Sequence, residues 1–156
     1  MNIKMLVMDV DGTLTDGHIY ISADGEIMKA FHVQDGYGIV HILPELGITP
    51  VIITGRSSEI VKRRAAELKI HHLHQGISDK LCKLKEVAEE LGVSAEQIAY
   101  IGDDLNDLEC IRYCGLTACP ADAVGTVRDA VNYICERNGG SGAVREFVDK
   151  LVSEME

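Results

Sequence analysis

The chain has 156 residues, 46% of them apolar, and a formal net charge of −10 at pH 7. That length buries a sizeable core and fits one domain over residues 1–156, with no linker. The acidic balance argues against a nucleic-acid footprint, no apolar run reaches the roughly eighteen residues of a membrane span, and Met1 to Lys4 is too short and polar for a signal peptide; small or metal-bridged partners in a cytoplasm are expected.

In chain order, KMLVM reads as a first strand that stops at two carboxylates, Asp9 and Asp11, before a turn at Gly12. His18 to Phe31, HIYISADGEIMKAF, reads as two strands joined at Ala23-Asp24-Gly25, a hairpin projecting from the sheet. A helix from about Gly36 to Leu46 follows, and Pro44 is expected to kink or end it. TPVII is a strand, and Thr54, Gly55 and Arg56 come directly after it. SSEIVKRRAAELK carries helical spacing, and the HHLH cluster of His71, His72 and His74 reads as partly buried or edge histidines of a short strand.

SDKLCKLKEVAEELG is a helix stopped by Gly92, and Ser94 with Gln97 forms a capping box ahead of the strand IAYI. In the helical stretch LNDLECIRYCG, Cys110 and Cys114 lie one turn apart, which reads as packing. Together with Cys82, Cys119 and Cys135 they make an odd set without a C-x-x-C pair, as expected of reduced thiols. LTAC and NYI are further strands, and by composition the glycine-rich RNGGSGAVREF is a flexible link before a final helix.

Alternation of this kind predicts an α/β fold, a Rossmann-like parallel sheet with helices on both faces. Ligands of such sheets bind beyond the carboxyl ends of the strands, where the topology switches. Asp9, Thr54 and the GDDLND run from Gly102 to Asp107 each follow a strand. Two acid clusters repel unless a cation lies between them, and hard oxygen donors suit Mg²⁺, with Asp9 and Asp103 as ligands and a phosphate ester sharing the ion. An EF-hand starting at Asp9 is excluded by Leu14 and Tyr20 where Gly and Glu are required, and neither a P-loop nor a G-x-S-x-G elbow occurs.

DVDGTLTDG, ITGR, SDK and IGDDLND, in that order, resemble the four motifs of the haloacid dehalogenase superfamily of phosphotransferases. FHVQDGYGI, HQGISDK and RNGGSGAVREF extend the resemblance to the capless family of 3-deoxy-D-manno-octulosonate 8-phosphate phosphatases and related phosphatases of nine-carbon keto-sugar acids. The resemblance implies that Asp9 is the nucleophile forming an aspartyl-phosphate, and that Asp11 protonates the leaving oxygen and then activates water. Thr54 and Lys80 would hold the phosphoryl oxygens. Asp9, Asp11 and Asp103 would bind Mg²⁺, with Asp104 and Asp107 orienting ligands and waters from behind. The segments between the motifs are used up by the elements already named, which leaves no room for a cap domain.

The candidate contacts to a sugar-acid phosphate are Gly55, Arg56, Arg64 and Arg145, and an arginine after TG resembles the eight-carbon enzymes more than the sialic-acid type. The family likeness further implies a homotetramer built on the apolar hairpin, and a glycine-rich segment closing over a neighbouring subunit's site. Two other readings remain at this point: a phosphatase of a nine-carbon keto-sugar acid 9-phosphate, and a non-catalytic oligomerisation module of a cytidylyltransferase system. A phosphoaccepting receiver domain fits less well, because its lysine follows the last acid whereas Lys80 precedes the Gly102 cluster.

Overall fold

The computed structural model describes residues 1–156. Its short apolar runs pair as a six-stranded, all-parallel sheet. The strands are β1 (Met5–Met8), β4 (Thr49–Ile53), β5 (His72–His74), β6 (Ile98–Ile101), β7 (Leu116–Cys119) and β8 (Tyr133–Ile134), in the spatial order β5-β4-β1-β6-β7-β8. β2 (Tyr20–Ser22) and β3 (Gly25–Met28) form a separate antiparallel hairpin. Because the chain leaves β1 first to one side and then to the other, β1 lies between β4 and β6, and the switch point falls at its carboxyl end.

Both faces are covered, since a strand buried on two sides must alternate its side chains between two cores. Leu6 and Met8 point to one core, with Ile39, Leu43, Val61 and Phe147; Met5 and Val7 point to the other, with Leu84, Val87, Cys110 and Val127. The first core is closed by the helical stretch from Val33 to Glu45, by α3 (Glu59–Glu67) and by α7 (Ala143–Met155). The second is closed by α4 (Lys80–Leu91), α5 (Leu108–Tyr113) and α6 (Gly125–Ala130). No helix is long and apolar enough to cross a membrane.

Pro44 stands one residue from the end of its helix, directly after a break in the α-helical pattern. The stretch runs as α1 (Val33–Tyr37), a π-helical turn Gly38–Ile42 and α2 (Leu43–Glu45), with the Leu43 N–H bonded to Gly38 O five residues back. The wider π turn precedes a residue that has no N–H to give, and the helix stops just after that residue, at Glu45. The GDDLND run also differs from a plain helix start: Leu105–Asp107 is a 3₁₀ turn ahead of α5.

The glycine-rich segment is not a flexible link. Gly139 N–H donates to Asp122 Oδ1 at 3.0 Å and Gly140 N–H to Thr13 O at 3.2 Å, so the segment is fastened to the loop after β1. A Cβ on Gly139 would lie 2.0 Å from Gly12 O, an approach that only glycine permits. Ala143, Val144, Phe147, Val148 and Leu151 of α7 are then fully buried in the chain's own core. Residues 137–156 are therefore scaffold for this subunit, and removing them would open that core.

Candidate active site

Register builds the site. Met8 of β1 is level with Ile52 of β4 and with Ile101 of β6, so the residues that follow these strands emerge side by side. Asp9, Asp11, Thr54, Gly55, Arg56, Asp104 and Asn106 line a cavity of about 190 Å³ there. Lys80, the first residue of α4, is tied to it through Asp9: its Nζ lies 3.0 Å from Asp9 Oδ1 and 2.9 Å from Asp107 Oδ1, and it is almost fully buried.

Asp107 is completely buried, and its carboxylate accepts four hydrogen bonds. Tyr100 OH donates at 2.5 Å and Lys80 Nζ at 2.9 Å to Oδ1; the N–H groups of Asp103 and Asp104 donate at 3.0 and 3.2 Å to Oδ2. Asp107 thereby folds the Asp103-Asp104 loop and aims Lys80 at Asp9 together. On the other side of the cluster, Thr13 Oγ1 donates to Asp103 Oδ1 at 3.2 Å. Gly12, with φ of +89°, lets the loop after β1 close on Asp103, because a Cβ there would lie 1.9 Å from Asp103 Oδ2.

The electrostatics of this cluster call for a cation. Oxygen atoms of Asp9, Asp103 and Asp107 lie within 4.8 Å of one another, with one lysine to balance three acids. Burial, and then the charges of Asp9 and Asp107, push Asp103 up to about 8 against the hydrogen bond from Thr13. Burial and Asp107 likewise raise Asp9, in spite of Lys80. Burial alone would lower Lys80, but Asp9 and Asp107 outweigh it and raise it. An oxygen-rich group that resists losing its protons unless a positive charge is added has the donor chemistry of a hard divalent ion.

The sequence reading and the geometry part at several residues. The carboxylates that converge are Asp9, Asp103 and Asp107, whereas the Asp11 carboxylate turns to Lys29 Nζ at 2.6 Å. Arg56 lines the cavity and approaches Glu26 Oε2 at 3.5 Å. Arg64 does not line it: its guanidinium sits over the Phe31 ring and donates to Glu67. Nor does Arg145, which stacks on Tyr37, pairs with Asp149 at 3.0 Å and lines a separate cavity of about 410 Å³ with Gln34, Arg137 and Glu146.

Tyr100, Asn106, Glu26 and Lys29 belong to the site or its support and were not singled out from sequence. Tyr100 carries the one hint, a hydroxyl inside the otherwise apolar IAYI. The histidines behave as expected of an edge: β5 is the outermost strand and is half-buried, and burial pushes His74 down.

Residues 70–147 match the model of the haloacid dehalogenase-like hydrolases. The 3-deoxy-D-manno-octulosonate 8-phosphate phosphatase KdsC of Escherichia coli K12 is 44% identical over 151 residues, which cover 97% of this chain and 80% of that protein. The same phosphatase from Moraxella catarrhalis, solved with magnesium, phosphate and KDO, superimposes with a TM-score of 0.92 at 44% identity, over 99% of this chain and 87% of that one. The cobalt-bound phosphatase from Haemophilus influenzae gives 0.95 at 40% identity, over 99% and 90%. With the strand order, the capless sheet and the motif residues gathered at one switch point, the chain belongs to the haloacid dehalogenase-like hydrolases, in the 3-deoxy-D-manno-octulosonate 8-phosphate phosphatase family.

Proposed function

We propose that this chain is a Mg²⁺-dependent phosphatase that hydrolyses 3-deoxy-D-manno-octulosonate 8-phosphate through an aspartyl-phosphate. The observation that carries the reading is the set of Asp9, Asp11 and Thr54 around one cavity, with Lys80 paired to Asp9, in a chain 44% identical to phosphatases of that substrate. The three converging carboxylates fit a magnesium ion, which when bound neutralises charge between carboxylate and phosphate.

In this reading an Asp9 oxygen attacks phosphorus and the bond to the sugar oxygen breaks. Asp11 supplies the proton that the departing alkoxide needs, a contribution of roughly a hundredfold or more. Asp11, now a carboxylate, takes a proton from the water that attacks the aspartyl-phosphate, and phosphate leaves with Asp9 restored. Thr54 and Lys80 hold the phosphoryl oxygens as charge spreads over them, with Lys80 kept in line by Asp107 and Tyr100. Asp104 shapes the loop that carries Asp103, and Gly55 and Arg56 face the sugar acid from the cavity wall.

The test is kcat/KM over phosphorylated eight- and nine-carbon keto-acids and hexose phosphates, with Mg²⁺ and with EDTA. The eight-carbon ester is expected to lead and chelation to abolish turnover. A nine-carbon optimum would reassign the substrate, and full activity after chelation would end the metal assignment.

A second expectation concerns pH. The folded value of Asp103, about 8, lies above its ordinary 3.8, so between those values this group holds a proton in the folded metal-free protein that it has lost in the unfolded chain. Stability from this group is complete below about pH 4 and is lost as pH rises through about 8. Magnesium binding at pH 7 should therefore release close to one proton, measurable by calorimetry in two buffers of different ionisation enthalpy. Release of no proton would place the ion elsewhere.

The reading treats residues 1–156 as one phosphatase domain, since a single sheet draws strands from Met5 to Ile134. It works in a cytoplasm, where its five unpaired thiols stay reduced. It assembles as a homotetramer through the hairpin, whose Ile21, Ile27 and Met28 are 65%, 59% and 52% exposed, an apolar surface that a lone two-stranded ribbon cannot cover. Light scattering at micromolar concentration should give the tetramer mass; a monomer would count against it.

A further inference from the structure

Lys29 stands just past β3, at the base of the hairpin, and its side chain is 1% exposed. A lysine that deep must be held by acids, and two hold this one: Asp11 Oδ1 at 2.6 Å and Glu26 Oε2 at 3.1 Å. Lys29 is the one side chain hydrogen-bonded to Asp11. It does not line the cavity that Asp11 faces. Glu26 in turn accepts from Ser58 Oγ and approaches Arg56, and Ser58 caps the first turn of α3 through Val61 N–H. One polar chain thus runs from the hairpin to both loops that face the substrate phosphate.

We propose that Lys29 is a positioning residue that holds the Asp11 carboxylate in line with the leaving oxygen, which makes the hairpin part of the catalytic apparatus. The inference rests on the phosphatase reading above, in which Asp11 protonates the departing alkoxide. Asp11 sits on a loop turning through Gly12, and no other side chain restrains its carboxylate. Without the ammonium it is free to swing toward solvent, and a misplacement of about 1 Å costs a proton transfer on the order of a hundredfold. Glu26 pairs with the same ammonium at 3.1 Å and offsets part of its charge, so Lys29 gives Asp11 chiefly a fixed place.

The leaving group separates this role from simple anchoring of the hairpin. An alkoxide needs a proton to depart, whereas p-nitrophenolate does not, and kcat/KM reports the step in which that group leaves. Lys29→Met should lower kcat/KM for the sugar-acid phosphate by about thirty- to a hundredfold and for p-nitrophenyl phosphate by less than about fivefold. In an Asp11→Asn background the same change should have almost no further effect, because the two residues act as a unit. Lys29→Arg, which keeps a cation, should recover most of the activity. Magnesium affinity and oligomeric mass serve as controls for the fold, and Lys29→Gln replaces Lys29→Met, with the same expectation, if the methionine variant does not fold.

Equal losses on the two esters, a full loss that persists in Asp11→Asn, or no loss at all would overturn the inference while leaving the phosphatase reading intact. A wild-type protein inactive on both esters would overturn that reading and this inference with it.

Discussion

Asp9→Asn is expected to abolish turnover, by about 10⁴-fold or more, the scale on which enzymes fail when a covalent nucleophile is removed. The substitution keeps an oxygen for Lys80, which sits 3.0 Å away, so the pocket should keep its shape. It also removes one of three crowded negative charges. Asp9 is already raised by burial and by Asp107, so the metal-free variant should melt at the wild-type temperature or above it. Loss of activity with undiminished stability is the signature of a reacting group rather than a packing one. Asp11→Asn should fail differently: the sugar-acid ester should lose most of its turnover, and p-nitrophenyl phosphate should still phosphorylate Asp9. A phosphoenzyme trapped in Asp9→Asn would move the nucleophile to another residue.

The second large effect is expected at Lys80, where catalysis and stability fall together. Lys80 is nearly fully buried between Asp9 and Asp107, and Lys80→Met leaves two buried carboxylates without their cation. Breaking such a pair on one side costs about 3 to 5 kcal/mol, and turnover should fall at least a hundredfold, roughly the worth of one preorganised charge facing the phosphoryl group.

The pH dependence has a definite sign. The folded value of Lys80 is raised, so its own contribution holds through neutrality and is lost only in strong alkali. The deficit in Lys80→Met should nevertheless be smaller at pH 5 than at pH 8. Asp103, pushed up to about 8 by burial, takes up a proton there and sheds part of the charge that the lysine had balanced, and burial favours the neutral form of Asp9 as well. Urea unfolding of both proteins at the two pH values measures this; a deficit independent of pH would mean that Lys80 stabilises by packing alone.

The glycine-rich segment had two expected roles, a loose link or a lid for a neighbouring site. In this chain it is not a loose link: Gly139 and Gly140 lie close against the loop of Gly12, and Gly12 leaves room for Asp103. The consequence reaches the metal site through backbone contacts, because any side chain at Gly139 would collide with the carbonyl of Gly12, the residue that lets the loop close on Asp103. Arg145, reached by way of this segment, is committed to Asp149 and Tyr37 and caps nothing in the cavity of its own chain.

The amino-acid sequence by itself determined the alternation of strands and helices, the hairpin, and the strand ends at which Asp9, Thr54 and Asp103 emerge. These follow from short-range causes: apolar runs of strand length, helical spacing, and caps such as Gly92 and the pair Ser94 and Gln97. The motif order then brought the acids and Lys80 to one edge, since a parallel sheet puts all its carboxyl ends on one side. What only the tertiary structure decided is which groups touch. Lys29 meets Asp11 across 18 residues, Thr13 meets Asp103 across 90, and Gly139 lies on Gly12 from the far end of the chain. Nothing local in MKAF distinguishes a lysine bound for a buried carboxylate from one bound for solvent. The position of Arg64 over Phe31 is of the same kind. Such contacts depend on how loops return over the sheet, and their energy is repaid only when desolvated charges find partners distant in sequence.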